Sequence, residues 1–398
     1  MTRLDCTLLL PLTLAIACSA GSDPPNSGGG GTAGGGVGAA PQGGFGFGGS
    51  GGGTITTVGT LTGKVVAPEG TIPISGALVY LTSSTPEAIP DGVFCDACVK
   101  LDASVAHGFT KPDGSFEIPT YAEGPQFLVV QKGQFRRVRP ITITAGTMQA
   151  DATATRLPSR MDKANGDDIP KMAIQEGSFD DILTSLVELG IDQDQITVFG
   201  CSGFDCESPF DDYATLSQYH IAFVPCSSCA SGSSAQSSNV RQFVSEGGKY
   251  YVTDWSYQWM QDPFPGYVTF DESGGDACTL DDYTAAATDL DPDLAAWLSA
   301  QGVTNPAFEA AYTYIDSVNT VASTSTTGEP VMVTPKVWIS GATPQGVRPL
   351  SVSFESQCGR VLFSTYHSES SAGLLPQELA LLYVILEVGV CLDVVVPE

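Results

Sequence analysis

From residue 168 to residue 398, apolar runs of strand length alternate with helix-like segments, and this alternation restricts the fold more than any other feature. The apolar runs are KMAIQ, QITVFGC, HIAFVPC, KYYVTDW and GRVLFSTYH. The helix-like segments are SFDDILTSLVELG, SNVRQFVSEGG, a segment opened by Asp291-Pro292, and PQELALLYVILEVG. Apolar strands separated by amphipathic helices require a sheet that is covered on both faces. The pattern therefore predicts a three-layer α/β domain with a mostly parallel sheet.

The first helix of this segment carries recognisable end signals. Ser178 is the predicted N-cap, and Gly190 is the predicted stop. Asp180 and Asp181 fall in the predicted first turn, where carboxylates interact favourably with the helix dipole.

Several chemically active side chains follow predicted strands. In open sheets of the flavodoxin-like kind expected here, ligands bind at the carboxyl ends of the strands. The residues that fall at such ends are Cys201, Cys226, Asp254 and His367. This edge of the sheet is therefore the predicted place for a site.

Residues 58–157 have a different sequence pattern, which predicts short strands separated by turns. TLTGKVVAPEG and GALVYLTSS have strand character, KPDGSFEI carries an Asp113-Gly114 turn, and FLVVQKG and PITITAG follow. A segment of about 100 residues with this pattern predicts a small antiparallel β-sandwich.

The same segment resembles a known family of small domains. Gly63, the Gly76-Ala77 entry to the second strand, and the run Asp113-Gly114-Ser115-Phe116 match the carboxypeptidase regulatory-like domain. That resemblance implies a transthyretin-like β-sandwich that is non-catalytic and either stabilises or positions a neighbouring domain or serves as a surface module.

The amino terminus predicts export. MTRLD is followed by CTLLLPLTLAIAC, an apolar run shorter than the roughly 20 residues that span a bilayer. This is the pattern of a secretory signal peptide, residues 1–17. Ala15-Ile16-Ala17-Cys18 resembles the lipobox of bacterial lipoproteins, with Ala15 where Leu is usual. The resemblance implies lipid on Cys18, whereas the alternative is ordinary cleavage with Cys18 incidental.

Residues 18–57 join the anchor to the folded parts. This glycine-rich segment has almost no charge and cannot bury a core. As a flexible tether it has an r.m.s. reach of about 34 Å. We expect it to hold the folded parts clear of a membrane, at the outer membrane or the cell surface.

The formal net charge of −27 excludes some partners. Such a surface repels nucleic acid and anionic headgroups, so contact with the membrane is expected through the lipid alone. The acidic stretches at 276–282 and 289–293 lack the spacing of a calcium loop. With only three histidines in the chain, we expect no metal and no cofactor.

The cysteines of an exported chain tend to form disulfides. Eleven are present, and Cys6 in the signal and Cys18 at the anchor leave nine, an odd number. The disulfide candidates are Cys95, Cys98, Cys201, Cys206, Cys226, Cys229, Cys358 and Cys391. We expect a local Cys95–Cys98 bridge and a Cys358–Cys391 bridge, with Cys278 as the odd thiol.

Cys226 leaves three hypotheses open. It is expected to pair with Cys229 or with the Cys201–Cys206 loop. A nucleophilic thiolate would need a nearby positive charge or a helix N-terminus, and the serine-rich run before Val240 offers the latter. The third hypothesis is a metal ligand.

The second part resembles the class I glutamine amidotransferase-like superfamily, and especially its ThuA-like branch. The matching pieces are YHIAFVPC, VRQFVSEGGKYYVTDWSYQ and CGRVLFSTYHSE, followed by the closing helix. In that superfamily a Cys sits on a tight elbow, and a later His-x-Glu completes a triad. His367-Ser368-Glu369 matches the His-x-Glu, but Asp254 occupies the elbow, and no flanking glycine eases a strained turn.

Asp254, His367 and Glu369 form the candidate catalytic constellation. Two carboxylates and an imidazole at one sheet edge can act as general acid and base or bind a metal. The alternative is a remnant of the fold without activity. The aromatic residues near the elbow are a possible floor for a sugar or part of the core: Trp255, Tyr257, Trp259, Phe264 and Tyr267.

The chain as a whole resembles exported myxobacterial lipoproteins that pair these two domains. The predicted parts are residues 1–17, 18–57, 58–157, a linker at 158–167, and 168–398. The expected function is non-catalytic binding of a carbohydrate or protein ligand, or a structural role. The alternative is a carbohydrate-active or amide hydrolase that uses Asp254, His367 and Glu369.

Overall fold

The computed structural model describes residues 56–96, 99–102, 104–202, 205–278, 281–368, 374–386 and 392–395. They belong to one compact unit, Thr54–Glu398. The predicted signal peptide, Cys18 and nearly all of the predicted linker lie outside these ranges, as do Cys98, Glu369 and Cys391. The domain boundaries proposed from the sequence stay predictions.

The first part consists of short strands. They are β1 (Gly59–Lys64), β2 (Leu78–Thr82), β3 (Val99–Asp102), β4 (His107–Phe109), β5 (Ser115–Thr120), β6 (Gly124–Lys132), β7 (Phe135–Ile143), β8 (Gly146–Gln149) and β9 (Asp167–Asp168). β5, β1 and β8 form one sheet, and β4, β2, β6, β7 and β9 form another. Leu61 and Ile118 of the first sheet share a buried cluster with Leu81 and Val130 of the second, so the two sheets pack together. The prediction of a strand-rich first part is confirmed.

The second part contains the remaining strands. They are β10 (Met172–Gln175), β11 (Ile196–Phe199), β12 (Cys201–Ser202), β13 (Asp205–Cys206), β14 (Ile221–Val224), β15 (Lys249–Thr253), β16 (Val268–Phe270), β17 (Tyr283–Leu290), β18 (Ala307–Ala311), β19 (Ile315–Val318), β20 (Val321–Thr324), β21 (Pro330–Val333), β22 (Lys336–Thr343), β23 (Gly346–Ser356), β24 (Gly359–Ser364) and β25 (Leu392–Val395).

The helices of the described ranges are mostly short. They are α1 (Ala152–Thr155), α2 (Ile182–Glu188), α3 (Tyr213–Leu216), α4 (Ser234–Ser245), α5 (Gln258–Gln261), α6 (Pro292–Ala300) and α7 (Pro376–Leu386), with 3₁₀ turns at Lys163–Asn165, Gln193–Gln195 and Asp254–Ser256. Asp181, and not Ser178, caps α2, because its side chain accepts the Thr184 N–H. The predicted starts of α6 and α7 at Pro292 and Pro376 are confirmed.

A nine-stranded sheet organises the second part, in the order β11-β10-β14-β15-β24-β23-β22-β17-β18. The first five strands are parallel neighbours. The last four are added antiparallel, so the prediction of a mostly parallel sheet is wrong. These strands were not identified from the sequence, because a strand with one exposed face, such as YTAAATDL of β17, contains no continuous apolar run.

Helices cover both faces of the parallel half. Alternate residues of β14 point to opposite faces, so that Phe223 packs in one cluster with Leu186 of α2, and Val224 in another with Phe243 of α4. The first part packs on the α2 face, where Trp297 Nε1 donates to the Pro73 carbonyl oxygen at 2.6 Å. The two parts therefore share one buried cluster.

The disulfides differ from the predicted pairing. Cys95 bonds to Cys358, 263 residues away, so the local Cys95–Cys98 and the Cys358–Cys391 bridges are wrong. The reason is tertiary, since the loop that carries Cys95 packs closely over Gly247, next to the turn between β23 and β24.

The other disulfides show which of the described cysteines is a free thiol. Cys201 bonds to Cys206 across the β12–β13 hairpin. Cys229 bonds to Cys278, and Cys226 is a buried free thiol. The expectations of a disulfide at Cys226 and a free Cys278 are therefore wrong. The disulfides themselves indicate an oxidising environment outside the cytosol. Within the described ranges, no helix combines the length and the hydropathy needed to span a membrane.

Candidate functional site

The carboxyl ends of four parallel strands converge at one edge of the nine-stranded sheet. Polar side chains from the loops after β10, β14, β15 and β24 meet there, together with a segment that follows β18. We call this group the carboxyl-edge cluster, and it comprises Asp180, Cys226, Thr253, Asp254, Thr313, His367 and Ser368. Cys201 also follows a parallel strand, β11, as predicted, but it is exposed on the β12–β13 hairpin and does not join the cluster.

Asp254 occupies the elbow between β15 and the helical segment that follows. Its φ is +44°, in the left-handed region, and it starts the 3₁₀ turn Asp254–Ser256. The expectation that the chain cannot form a strained elbow without glycine is therefore wrong. Asp is among the few non-glycine residues that tolerate this conformation, and here its side chain is fixed by partners.

The Asp254 carboxylate is fully buried and accepts several hydrogen bonds. Oδ1 accepts from Thr313 N and Thr313 Oγ1, both at 2.8 Å, and from Tyr312 N at 3.3 Å. Oδ2 faces His367 Nδ1 at 3.4 Å. One carboxylate oxygen therefore holds the 312–313 segment, while the other points to the imidazole.

His367 lies between the elbow and an aromatic ring. Its imidazole stacks on Tyr312 with ring centroids 5.8 Å apart and an interplanar angle of 6°. Burial raises the pKa of the Asp254 carboxyl above its usual range, and the hydrogen bond from His367 opposes that shift. The pair therefore has the components of an acid–base couple in a desolvated place.

Asp180 is a second carboxylate in the cluster, and it is half-buried. Its Oδ1 accepts from Ser368 N at 2.9 Å and from Ser368 Oγ, and its Oδ2 accepts from Thr253 Oγ1 at 2.5 Å. Burial raises the pKa of Asp180, and the hydrogen bonds and His367 oppose the rise. Asp180 thus ties the loop after β10 to the loop after β24.

Cys226 presents its thiol to the same cluster. Its backbone N–H donates to Thr253 Oγ1 at 2.7 Å, and the Trp255 backbone N–H is directed at its sulfur. Burial and the nearby Asp254 carboxyl raise the pKa of the thiol well above its usual range. A thiol held protonated in this way is a poor nucleophile, which argues against the nucleophile hypothesis for Cys226.

The cluster is closed to solvent except at Asp180, which is half-buried. The exposed fraction is 0% for Asp254, 1% for Cys226 and 6% for His367. A partly exposed chain of aromatic rings lies at its rim, where Phe179 contacts Trp255 and Trp255 contacts Tyr312. Most of the aromatic residues singled out in the sequence are core residues instead, namely Tyr257, Phe264 and Tyr267.

A separate cavity of about 430 Å³ lies at the opposite, amino-terminal edge of the parallel strands. Lys171, just before β10, and His220, just before β14, line it. His220 Nδ1 accepts the Lys171 N–H at 2.8 Å, and its Nε2–H donates to the Pro90 carbonyl oxygen at 3.1 Å. These two bonds require the neutral imidazole, because Nδ1 can accept only when it carries no proton.

Comparisons with known proteins do not identify a family. No protein-family model matches the chain, and no curated protein matches it. A β-galactosidase from Bacillus circulans sp. alkalophilus aligns with a TM-score of 0.32 and 10% identity, over 53% of this chain and 30% of that chain. The chain thus spans less than a third of that enzyme.

Two smaller solved structures also align. A cytoplasmic protein from Salmonella typhimurium gives a TM-score of 0.34 and 12% identity, over 55% of this chain and 98% of that chain. The mmIFT52 N-terminal domain gives a TM-score of 0.34 and 11% identity, over 49% of this chain and 85% of that chain. At these values the alignments assign neither a family nor an activity.

The sequence placed Cys226, Asp254 and His367 of the cluster at this edge and missed other members. Asp254 and His367 were placed together, and they lie together, whereas Glu369 lies outside the described ranges. Asp180 was interpreted as a first-turn carboxylate that interacts with the helix dipole, although its position after β10 already placed it at the same edge. No local sequence signal marked Thr313, because it belongs to the antiparallel half of the sheet, which was not identified from the sequence.

The elbow makes a testable contribution to stability. Asp254→Ala and Asp254→Gly both remove the acceptor of Thr313 N–H and Oγ1–H, and we expect a loss of about 2–5 kcal/mol in the free energy of unfolding. A φ of +44° is strained for alanine but not for glycine, so the glycine variant should be more stable by about 1 kcal/mol. Urea unfolding measures both values. An alanine variant as stable as the glycine variant would show that the elbow is unstrained.

His220 makes a pH-dependent contribution. Burial lowers its pKa below the ordinary value of 6.5, so the unfolded chain binds a proton that the folded chain does not. As the pH falls through about 6.5, stability should therefore decrease, by at most about 1.4 kcal/mol per pH unit, until the lower folded pKa is reached. Urea unfolding between pH 7.5 and pH 5 checks this. His220→Gln should flatten the slope, and the control His107→Gln should retain it. Equal slopes in both variants would contradict the prediction.

Proposed function

We propose that this chain is an exported, lipid-anchored surface protein whose folded parts bind or position other molecules without catalysing a reaction. The signal-like residues 1–17, Cys18 and the glycine-rich segment to residue 57 support the anchor. The disulfides support the location outside the cytosol. The net charge of −27 is consistent with attachment by lipid rather than through a basic surface.

The two parts are proposed to be a transthyretin-like carboxypeptidase regulatory-like domain and a ThuA-like domain of the class I glutamine amidotransferase-like superfamily. The parallel order β11-β10-β14-β15-β24, with its reversal between β10 and β14, supports a flavodoxin-like core. An elbow after β15 and a histidine after β24 match the superfamily pattern in position. The two packed sheets support the first assignment.

The environment of Asp254 is the observation that supports a non-catalytic function. The elbow residue is a carboxylate whose Oδ1 is bound by Thr313 N and Thr313 Oγ1, and no part of its surface reaches solvent. A nucleophile or general base must contact substrate within hydrogen-bond reach. Asp254 instead holds the chain segment that covers it. These hydrogen bonds hold the covering segment against the edge of the sheet.

The rim of the cluster suggests the class of ligand. Phe179 is 55% exposed and packs edge-to-face on Trp255, which in turn contacts Tyr312. Exposed aromatic rings that are held by one another offer apolar faces at low entropic cost. We propose that this rim contacts a carbohydrate or protein ligand in the envelope or outside the cell.

A specific observation also favours the hydrolase alternative. The left-handed φ of Asp254 and the imidazole nitrogen 3.4 Å from its carboxylate reproduce the strain and the proximity of a catalytic elbow. In that alternative, opening of the 312–313 segment would expose Asp254 and His367 to an amide or a glycoside, with Glu369 as the third member.

Catalysis is tested with matched histidine variants of the full chain. A panel of amide and glycoside substrates should be hydrolysed no faster by wild type than by His367→Gln, because the proposed module has no reaction to lose. His107→Gln, on β4 in the first part, is the control. A turnover that falls at least about 10-fold in His367→Gln and persists in His107→Gln would establish the hydrolase instead.

The anchor is tested by fractionation. Wild type should sediment with membranes and yield a lipid-modified amino-terminal Cys18, whereas Cys18→Ser should be found in the soluble extracytoplasmic fraction with its disulfides intact. Thiol alkylation followed by peptide mass mapping checks the folded state of both. A Cys18→Ser protein that still sediments with membranes would contradict lipid anchoring at this residue.

A further inference from the structure

The carboxyl-edge cluster brings three different metal-binding groups together. The Cys226 sulfur, an Asp254 carboxylate oxygen and a His367 ring nitrogen all lie within 4.8 Å of one another, and all three residues are buried. We propose that these three side chains bind one zinc ion. A thiolate, an imidazole and a carboxylate form a ligand set that zinc accepts, at about 2.0–2.3 Å from the ion.

The backbone fixes these ligands before any ion arrives. Cys226 follows β14, Asp254 follows β15, and His367 follows β24, and these three strands are hydrogen-bonded neighbours. Parallel neighbours place their carboxyl ends side by side, so the three ligands come from one rigid edge. A site built on regular strands needs only small side-chain adjustments to close on an ion.

Outer partners already orient the proposed ligands. Thr313 N and Oγ1 hold Asp254 Oδ1, which leaves Oδ2 directed at His367. Thr253 Oγ1 accepts from the Cys226 backbone and donates to Asp180. Such outer hydrogen bonds to ligating carboxylates are typical of metal sites and adjust their affinity.

The described ranges contain a second group of residues of metal-binding types, but this group is not a candidate metal site. It contains Cys229, Asp276 and Cys278, but the two sulfurs are bonded to each other. From the sequence, a metal ligand was one hypothesis for Cys226 and metal binding one for Asp254 and His367, but three histidines in the whole chain argued against a multi-histidine site. One histidine suffices here because Cys226 escapes the disulfides.

This inference deepens the proposed function and rests on its closed, non-catalytic cluster. A zinc ion held by the ends of three strands would stabilise the sheet edge in the way a structural metal does. The two proposals fail separately. Absence of metal would leave the binding module untouched, and a His367-dependent turnover would leave the metal site untouched.

The experiment measures metal in the full chain, exported and purified without chelators. Wild type should contain about one zinc per chain by elemental mass spectrometry, and Cys226→Ser and His367→Gln should each contain less than about a tenth of that. The double variant Cys201→Ser/Cys206→Ser and His220→Gln, at remote sites, should keep the wild-type content. Thr313→Val, which keeps all three ligands, should weaken zinc binding about 10-fold.

Cobalt provides a spectroscopic readout of the ligand set. Wild type prepared with Co²⁺ in place of zinc should show a sulfur-to-cobalt charge-transfer band and tetrahedral d–d bands, and Cys226→Ser should lack the charge-transfer band. Wild type without zinc and without this band would overturn the proposal. Zinc content that is unchanged in both Cys226→Ser and His367→Gln would overturn it equally.

Discussion

The hydrogen bonds between Asp254 and the 312–313 segment are the interaction on which the rest of the second part depends. Asp254 follows β15 in the parallel half of the sheet, and Thr313 follows β18 in the antiparallel half. A single buried carboxylate therefore fastens the two halves across the carboxyl edge. A buried carboxylate without partners is very unfavourable, so the elbow and the covering segment stabilise each other. The left-handed φ of Asp254 persists because these partners hold it.

The same interaction limits what the site can do. An elbow after a central parallel strand is where a fold of this kind can present a nucleophile, yet here it carries a carboxylate that faces inward. Cys226, the residue with nucleophilic potential, sits beside it as a buried thiol whose pKa burial raises. The side chains of Cys226, Asp254 and His367 thus face one another in a buried place. The proposed contact with a ligand is therefore assigned to the rim, where Phe179, Trp255 and Tyr312 reach solvent.

Much of the parallel half was predictable because its strands are continuous apolar runs between capped helices. The strands that end before Cys226, Asp254 and His367 were all identified, and that alone placed Asp254 beside His367. The antiparallel half was not identified, because strands with one exposed face lose the apolar run. Thr313 was missed with it. The disulfides followed neither spacing nor proximity in sequence, since Cys95 reaches Cys358 only through packing of its loop over Gly247.

The sequence by itself determined the two different patterns of strands and helices along the chain, the amino-terminal pattern that predicts export, the strongly acidic composition and the set of polar residues that follow strands. Those properties are local, because they depend on composition, on the period of the apolar residues and on end signals. Only the tertiary structure decided which of the described cysteines remains free, that Asp180 and Thr313 join Asp254, and that Cys226, Asp254 and His367 are buried. Those outcomes depend on contacts between segments far apart in the chain, and no local pattern encodes such contacts.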